Sequence, residues 1–224
     1  AASDVYKRQR YNIKQEEELE ILFDIVSSTV GSLTNPQKIA NTFDSLRQSD
    51  LSAVTIKKYL DIICESFLME KVSRYDVRGR KYIETPYKYY FVDPGLRNAR
   101  MNFRQPDFSH IMENVIYNEL RIRGYNVDVG VVPLVIREDG RQVRRQYEID
   151  FVCNLGSQRY YIQSVYRIES EAKCAQEETS LRNISDSFKK IVIVGEHTPV
   201  LRNEAGISTI SIYDFLLNPG SLEL

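Results

Sequence analysis

The chain has 224 residues, 30 of them basic and 31 acidic for a net charge of −1, so no global field draws it onto nucleic acid or an anionic membrane. Any basic site has to be local. The length accommodates two domains of ordinary size. Cys64, Cys153 and Cys174 are odd in number, far apart and without C-x-x-C spacing, which excludes a disulfide framework and a zinc site and predicts reduced thiols in a cytoplasmic protein. The sequence contains no apolar run near the ~20 residues of a membrane span and no secretory h-region, so neither membrane nor secretion is expected.

The first residues, "AASDVYKRQ", lack an initiator Met and show no periodicity that joins them to the rest of the chain. They resemble a translated library adapter, so residues 1–10 are set aside as a non-native extension and the chain is expected to be the tail of a longer protein. From Glu16 to Val30, Leu19, Leu22, Phe23, Val26 and Val30 recur at spacings of three and four, one face of a helix that Gly31 ends. Asn35 then caps a second helix with Pro36 at its first position and Ile39, Ala40 and Phe43 inward. "SDLS" makes the next turn. A third helix from about Ala53 carries Ile56, Tyr59, Leu60, Ile63 and Phe67 on one stripe.

After it the period changes to that of strands: Val72 and Tyr75, a turn over Asp76 to Arg80 holding Gly79, then Tyr82 and Ile83. Three helices and a basic-tipped hairpin make a winged-helix module, residues 11–104, whose third helix and wing would read DNA. Between Phe67 and Arg104 nine basic residues face four acids, the one strong local excess in the chain. Arg78, Arg80 and Lys81 at the wing are the candidate nucleic-acid contacts. The interleaved tyrosines, Tyr75 to Tyr90, read as packing at a junction, with stacking on bases as the alternative.

The second unit is expected over residues 105–224. Phe108 to Arg123 predicts a helix with Ile111, Val115, Ile116 and Leu120 inward, and Gly124 follows its end. Strands are predicted at 125–132, 147–153 and 159–166, a helix over 170–181, a buried strand in "KKIVIVGE" and a last strand and helix in "ISTISIYDFL". "REDGRQVRR" marks a hairpin turn at Asp139 and Gly140 whose Arg141, Arg144 and Arg145 are a second candidate phosphate grip. This order, helix, three strands, helix, strand, gives a mixed α/β sheet of restriction-endonuclease-like, PD-(D/E)XK type.

That chemistry needs an acid on the first helix, an Asp on the second strand and an acid-x-Lys on the third, because carboxylates hold Mg²⁺ or Mn²⁺ against the scissile phosphate and the lysine activates water. Here Glu113 and Asp150 take the first two places, and Gln163 and Val165 stand where the acid and the lysine belong. Glu113, Asp150 and Gln163 are thus the candidate catalytic set, with Glu113 and Asp150 the metal ligands and Glu148 and Glu119 further acids for a shifted site. The alternative is that Glu113 pairs on the helix surface and Asp150 caps backbone N–H groups. His110 and His197 have no ligand spacing.

The stretches "GSLTNPQKIANTF", "KYYFVDPGLRNAR", "IMENVIYNELRIRGYNVDVG" and "EIDFVCNLGSQRYYIQSVY" together resemble the C-terminal region of prokaryotic AAA+-type ATPases, from about Tyr11 to the end. The resemblance implies a winged helix and a PD-(D/E)XK-like domain of unknown function, preceded in the parent protein by a P-loop ATPase core. Members of that family carry either an acid-x-Lys or the Gln form at the position of Gln163. No G-x-x-x-x-G-K-[ST] occurs here, so no ATP site is expected in this chain. The implied function is an accessory module, catalytically degenerate, that binds DNA, RNA or a protein partner. An active metal-dependent nuclease and a protein-interaction or homo-oligomerisation module are the alternatives.

Overall fold

The structure is a computed structural model that describes residues 16–45, 51–104, 107–138, 140–168 and 175–224. The adapter-like start, Ser49 and Asp50 of the "SDLS" turn, Asp139, the first part of the helix expected over 170–181 and Cys174 lie outside the described residues. It is a mixed α/β structure with one eight-stranded sheet. The chain divides into one unit of residues 1–71 and 88–106 and another of 72–87 and 107–224.

In the first unit, α1 (Glu16–Ser28), α2 (Pro36–Ser45) and α3 (Ala53–Glu65) follow the predicted apolar stripes except at Phe67, which lies past the end of α3 with φ of +58° and is exposed. Leu22, Val26, Ile39, Phe43, Ile56, Leu60 and Ile63 are buried, and α2 packs against α3. The helix starts are capped as the sequence implies: Asn35 Oδ1 accepts from Gln37 N at 2.9 Å and Ser52 Oγ from Thr55 N at 3.2 Å. Past α1 the chain turns through Gly31, whose φ of +72° suits glycine and whose N–H donates to the Tyr89 carbonyl at 3.2 Å. A short helix, α4 (Pro94–Arg100), is capped by Asp93, whose carboxylate accepts from Gly95 N at 2.7 Å.

Much of the basic excess in this region is consumed internally. Lys71 pairs with Asp61 at 2.7 Å, Arg97 is buried with Nε donating to the Ser27 carbonyl at 3.0 Å, and Arg100 pairs with Glu20 and Asp24. Lys88 and Arg74 are buried as well. Of the nine basic residues between Phe67 and Arg104, Arg78, Arg80, Lys81 and Arg104 are exposed, as is Lys71 in its pair with Asp61. Tyr89 and Tyr90 are buried, which accords with packing rather than base stacking for that pair.

The strands are β1 (Met69–Asp76), β2 (Lys81–Phe91), β3 (Asn126–Glu138), β4 (Arg141–Leu155), β5 (Gln158–Val165), β6 (Lys189–Val194), β7 (Leu201–Arg202) and β8 (Ile207–Ser211). They lie in the order β2-β1-β3-β4-β5-β6-β8-β7. The hairpin predicted as a wing therefore forms one end of this sheet, with β1 parallel to β3 and Tyr75 opposite Gly130. β3, β4 and β5 are antiparallel neighbours, whereas β5, β6 and β8 run parallel.

Pro133 sits inside β3 without harming the sheet. The Val131 carbonyl accepts from Val77 N at 3.0 Å, so residue 131 and, by alternation, residue 133 direct their backbone groups to the β1 side. Pairing with β1 stops at Val131, so the donor that proline lacks has no ladder partner to miss.

α5 (Phe108–Ile122) covers one face of the sheet and buries Met112, Ile116, Tyr117 and Leu120. The other face carries an apolar cluster of Val132, Ile149, Val152, Tyr161, Val165, Val192 and Val194, covered by Leu181 from α6 (Thr179–Arg182) and by Ile184. The chain closes with α7 (Ile212–Leu217), capped by Ser211, and a 3-10 turn over Ser221–Glu223. Cys64 and Cys153 are free thiols, and burial pushes the Cys64 thiol up to about 11 and Cys153 well above its ordinary value. Among the described residues no helix is long and apolar enough to cross a membrane.

Candidate functional site

The position of Asp150 depends on a bulge. Val152 pairs with Asp128 and Ile149 with Gly130, so Asp150 and Phe151 together oppose the single residue Val129. Paired residues share a face, which puts Ile149 and Val152 with the apolar cluster and turns Asp150 and Phe151 to the α5 side. Gly130 sits across this irregularity, where a Cβ would lie 2.9 Å from that of Ile149. Asp150 is 7% exposed, and its Oδ2 accepts from Ser164 N at 2.8 Å. The carboxylate thus ties β4 to β5 at the end of their ladder.

Glu113 reaches the same side from α5. It is 8% exposed and lies one helical turn before Tyr117, whose ring centroid is 6.4 Å from that of Phe151. The structure therefore brings Glu113 and Asp150 to one face. Gln163 belongs to the other: Tyr161 and Val165, two positions before and after it, are members of the apolar cluster, and alternation carries Gln163 with them. It is 8% exposed, and its Oε1 is buried without a hydrogen-bond partner among the described residues. Val165, at the place of the catalytic lysine, is 6% exposed within that cluster.

The two further acids differ in their settings. Glu148 pairs with Val131 and shares the face of Asp150, whereas Glu119 is bound to Arg123, whose Nε donates to it at 2.8 Å. Among the described residues no three His, Cys, Asp or Glu side chains gather as metal ligands. Two carboxylates with one oxygen already on a backbone N–H, and the glutamine facing away, do not fit the ligand set of a nuclease metal centre.

Sequence reasoning assigned no role to Arg74. It pairs with Val129, so it shares the face of Asp150, is 8% exposed, and donates from Nη2 to Gln146 Oε1 at 3.2 Å while its buried Nε has no partner among the described residues. A basic residue on an inward strand position was the available signal. The hairpin arginines split between the faces: Arg144 pairs with Val135 and Arg145 with Leu134, so only Arg144 lies on the Asp150 side, and Arg141 is exposed beside the turn. At the β1–β2 turn, Arg80 and Lys81 are exposed and Arg78 Nη2 donates to the Asn183 carbonyl at 2.9 Å.

Asp128, across from Val152, is a titrating group that the sequence did not mark. Burial raises its carboxyl above the usual range, against the Tyr82 hydroxyl, which donates to Oδ2 at 3.2 Å, and the nearby Arg159. A raised acid favours the fold least when ionised: its cost is absent below the unfolded pKa and grows as pH rises through the folded one. Asp128→Asn is accordingly expected to raise the melting temperature at neutral pH and to leave it unchanged near about pH 3, where both states bind the proton.

Residues 4–107 match the family profile of a domain of unknown function, DUF8612. An uncharacterized protein of Haemophilus influenzae is 34% identical over 208 residues, covering 93% of this chain and 48% of that protein. The chain thus spans about half the length of this relative. The crystal structure of protein VC1899 from Vibrio cholerae aligns over 90% of this chain and 54% of its own at 12% identity, with a TM-score of 0.32, too low to bear on the fold.

Proposed function

We propose that the chain is the C-terminal accessory module of a AAA+-type ATP-binding protein, a winged-helix unit followed by a PD-(D/E)XK-like sheet domain that binds nucleic acid without cutting it. The observation that carries the loss of cutting is the state of the third strand. Val165 replaces the lysine and is buried among Tyr161, Val192 and Val194, while Gln163 faces away from Asp150 and Glu113. Water activation then lacks its lysine and the third ligand of a metal site. The helix-helix-helix-hairpin order of residues 16–91 supports the winged-helix part. The ATPase context is supported by the sequence resemblance and by the length of the Haemophilus influenzae relative, about half of which lies outside the match, room enough for an ATPase core.

Binding is assigned to the exposed cations Arg78, Arg80 and Lys81 at one hairpin turn and to Arg141, Arg144 and Arg145 at the other. With about three phosphates neutralised, affinity for DNA or RNA should fall about 40-fold between about 50 and 200 mM salt. Arg141→Glu with Arg144→Glu should flatten that dependence. Failure to bind any nucleic acid at low salt would overturn the assignment, and binding of a protein partner indifferent to salt would favour the interaction-module reading instead.

A further inference from the structure

A concavity of about 810 Å³ lies on the side of the sheet away from Glu113 and Asp150, bounded by the β1–β2 turn, the β4–β5 turn and residues 184–188. Tyr75 and Arg159 place it there, since Tyr75 pairs with Gly130 and Arg159 with Asn154, positions on the Ile149 and Val152 side. Its charged lining is three arginines, Arg78, Arg80 and Arg159, against one acid, Asp186, in a chain of net charge −1.

The acid keeps its charge but forms no ion pair with the arginines among the described residues, and Asp128 lies near Arg159 as well. Asp186 Oδ2 accepts the Tyr161 hydroxyl at 2.6 Å, and its Oδ1 accepts from Phe188 N at 3.2 Å. Arg159 is held by its surroundings: its Nε donates to Asn154 Oδ1 at 2.7 Å, and its guanidinium lies 5.6 Å from the Tyr75 ring centroid and 5.4 Å from that of Phe188. Arg78 is anchored from the other wall by the Asn183 carbonyl, and Arg80 is exposed at the turn with φ of +51°. A guanidinium fixed by stacking loses little freedom when an anion arrives, and its planar fork matches phosphate oxygens.

We propose that this cleft binds a nucleotide phosphate, whether of a free nucleotide or of one link in a strand. The volume is that of small-molecule sites, about 300–1,000 Å³. Phe188, 40% exposed, offers an apolar edge beside the guanidinia, and Asn154 and Ser185 offer hydrogen bonds for sugar or base. Because Arg78 and Arg80 also belong to the nucleic-acid reading, the strand part of this proposal rests on it, whereas the free-nucleotide part does not.

The test is calorimetric titration of the whole chain with adenosine 5′-monophosphate and with a short single-stranded oligonucleotide. Arg80→Ala, an exposed change that leaves folding intact, should weaken monophosphate binding about tenfold, and Arg159→Lys, which keeps the charge and loses the fork, by a similar factor. Thermal melts of both variants control for folding. Monophosphate binding lost in both variants supports the site even if long nucleic acid does not bind, an outcome that would overturn only the nucleic-acid reading. No binding of either probe overturns the site. So does oligonucleotide binding that both variants retain and that Arg141→Glu with Arg144→Glu abolishes, which would leave the nucleic-acid reading standing.

Discussion

Val165→Lys, which restores the residue that a working hairpin would carry, is expected to cost about 3 kcal/mol or more and to confer no activity. The side chain at 165 is 6% exposed and belongs to the cluster of Tyr161, Leu181, Val192, Val194 and Ile207. An ammonium placed there has no acid in the cluster to pair with, so it either leaves water uncompensated or drives the strand end apart. Against a total stability of about 5–15 kcal/mol, that loss should lower the melting temperature by roughly 5–10 °C. Adding Gln163→Glu should not rescue it, because position 163 faces the same cluster. A double variant that melts like the parent and cleaves DNA with Mg²⁺ would show that residue 165 reaches the Asp150 side after all.

Phe151→Ala is expected to cost about 3–5 kcal/mol of stability. Phe151 is fully buried, pairs with Ile162 across the β4–β5 ladder and meets Tyr117 on α5. It is also the second residue of the bulge, so its side chain fixes on which face Asp150 emerges. The variant should therefore loosen α5 and with it the placement of Glu113. Amide hydrogen exchange would then rise first in α5 and at Ser164, whose N–H is held by the Asp150 carboxylate. A change in stability below about 1 kcal/mol would mean that α5 is held mainly by Ile116 and Leu120.

The sequence made the element types legible wherever one period dominated. The helix predicted over 108–123 is found at Phe108–Ile122, and the hairpin turn at Gly140 is present with φ of +77°. The arms of that hairpin were predicted as 125–132 and 147–153 and extend instead over Asn126–Glu138 and Arg141–Leu155. Pro133 and the run of arginines hid the alternation, and a proline is harmless there only because β1 has already stopped pairing. The candidate acids were legible by type, Glu113 on a helix and Asp150 on a strand.

Their facing was not, since a bulge reverses the parity on which strand reasoning depends. The signal for it was Gly130, an isolated glycine inside an apolar strand, where a Cβ would lie 2.8 Å from Val152 Cγ2. The parallel pairing of β1 with β3 was equally invisible, because nothing local distinguishes a free hairpin from one that joins a sheet formed by residues about fifty positions away. That pairing is what brings Arg78 and Arg80 beside Arg159.

The central claim, a nuclease-like site that has lost its chemistry, is tested most directly by incubating the purified chain with single-stranded DNA, double-stranded DNA and RNA in Mg²⁺ or Mn²⁺, alongside Asp150→Ala and Glu113→Ala. No cleavage by any of the three proteins is the expected result. Metal-dependent cleavage by the parent that disappears in both variants would contradict it and make this a nuclease that works with Glu113 and Asp150 and without a lysine.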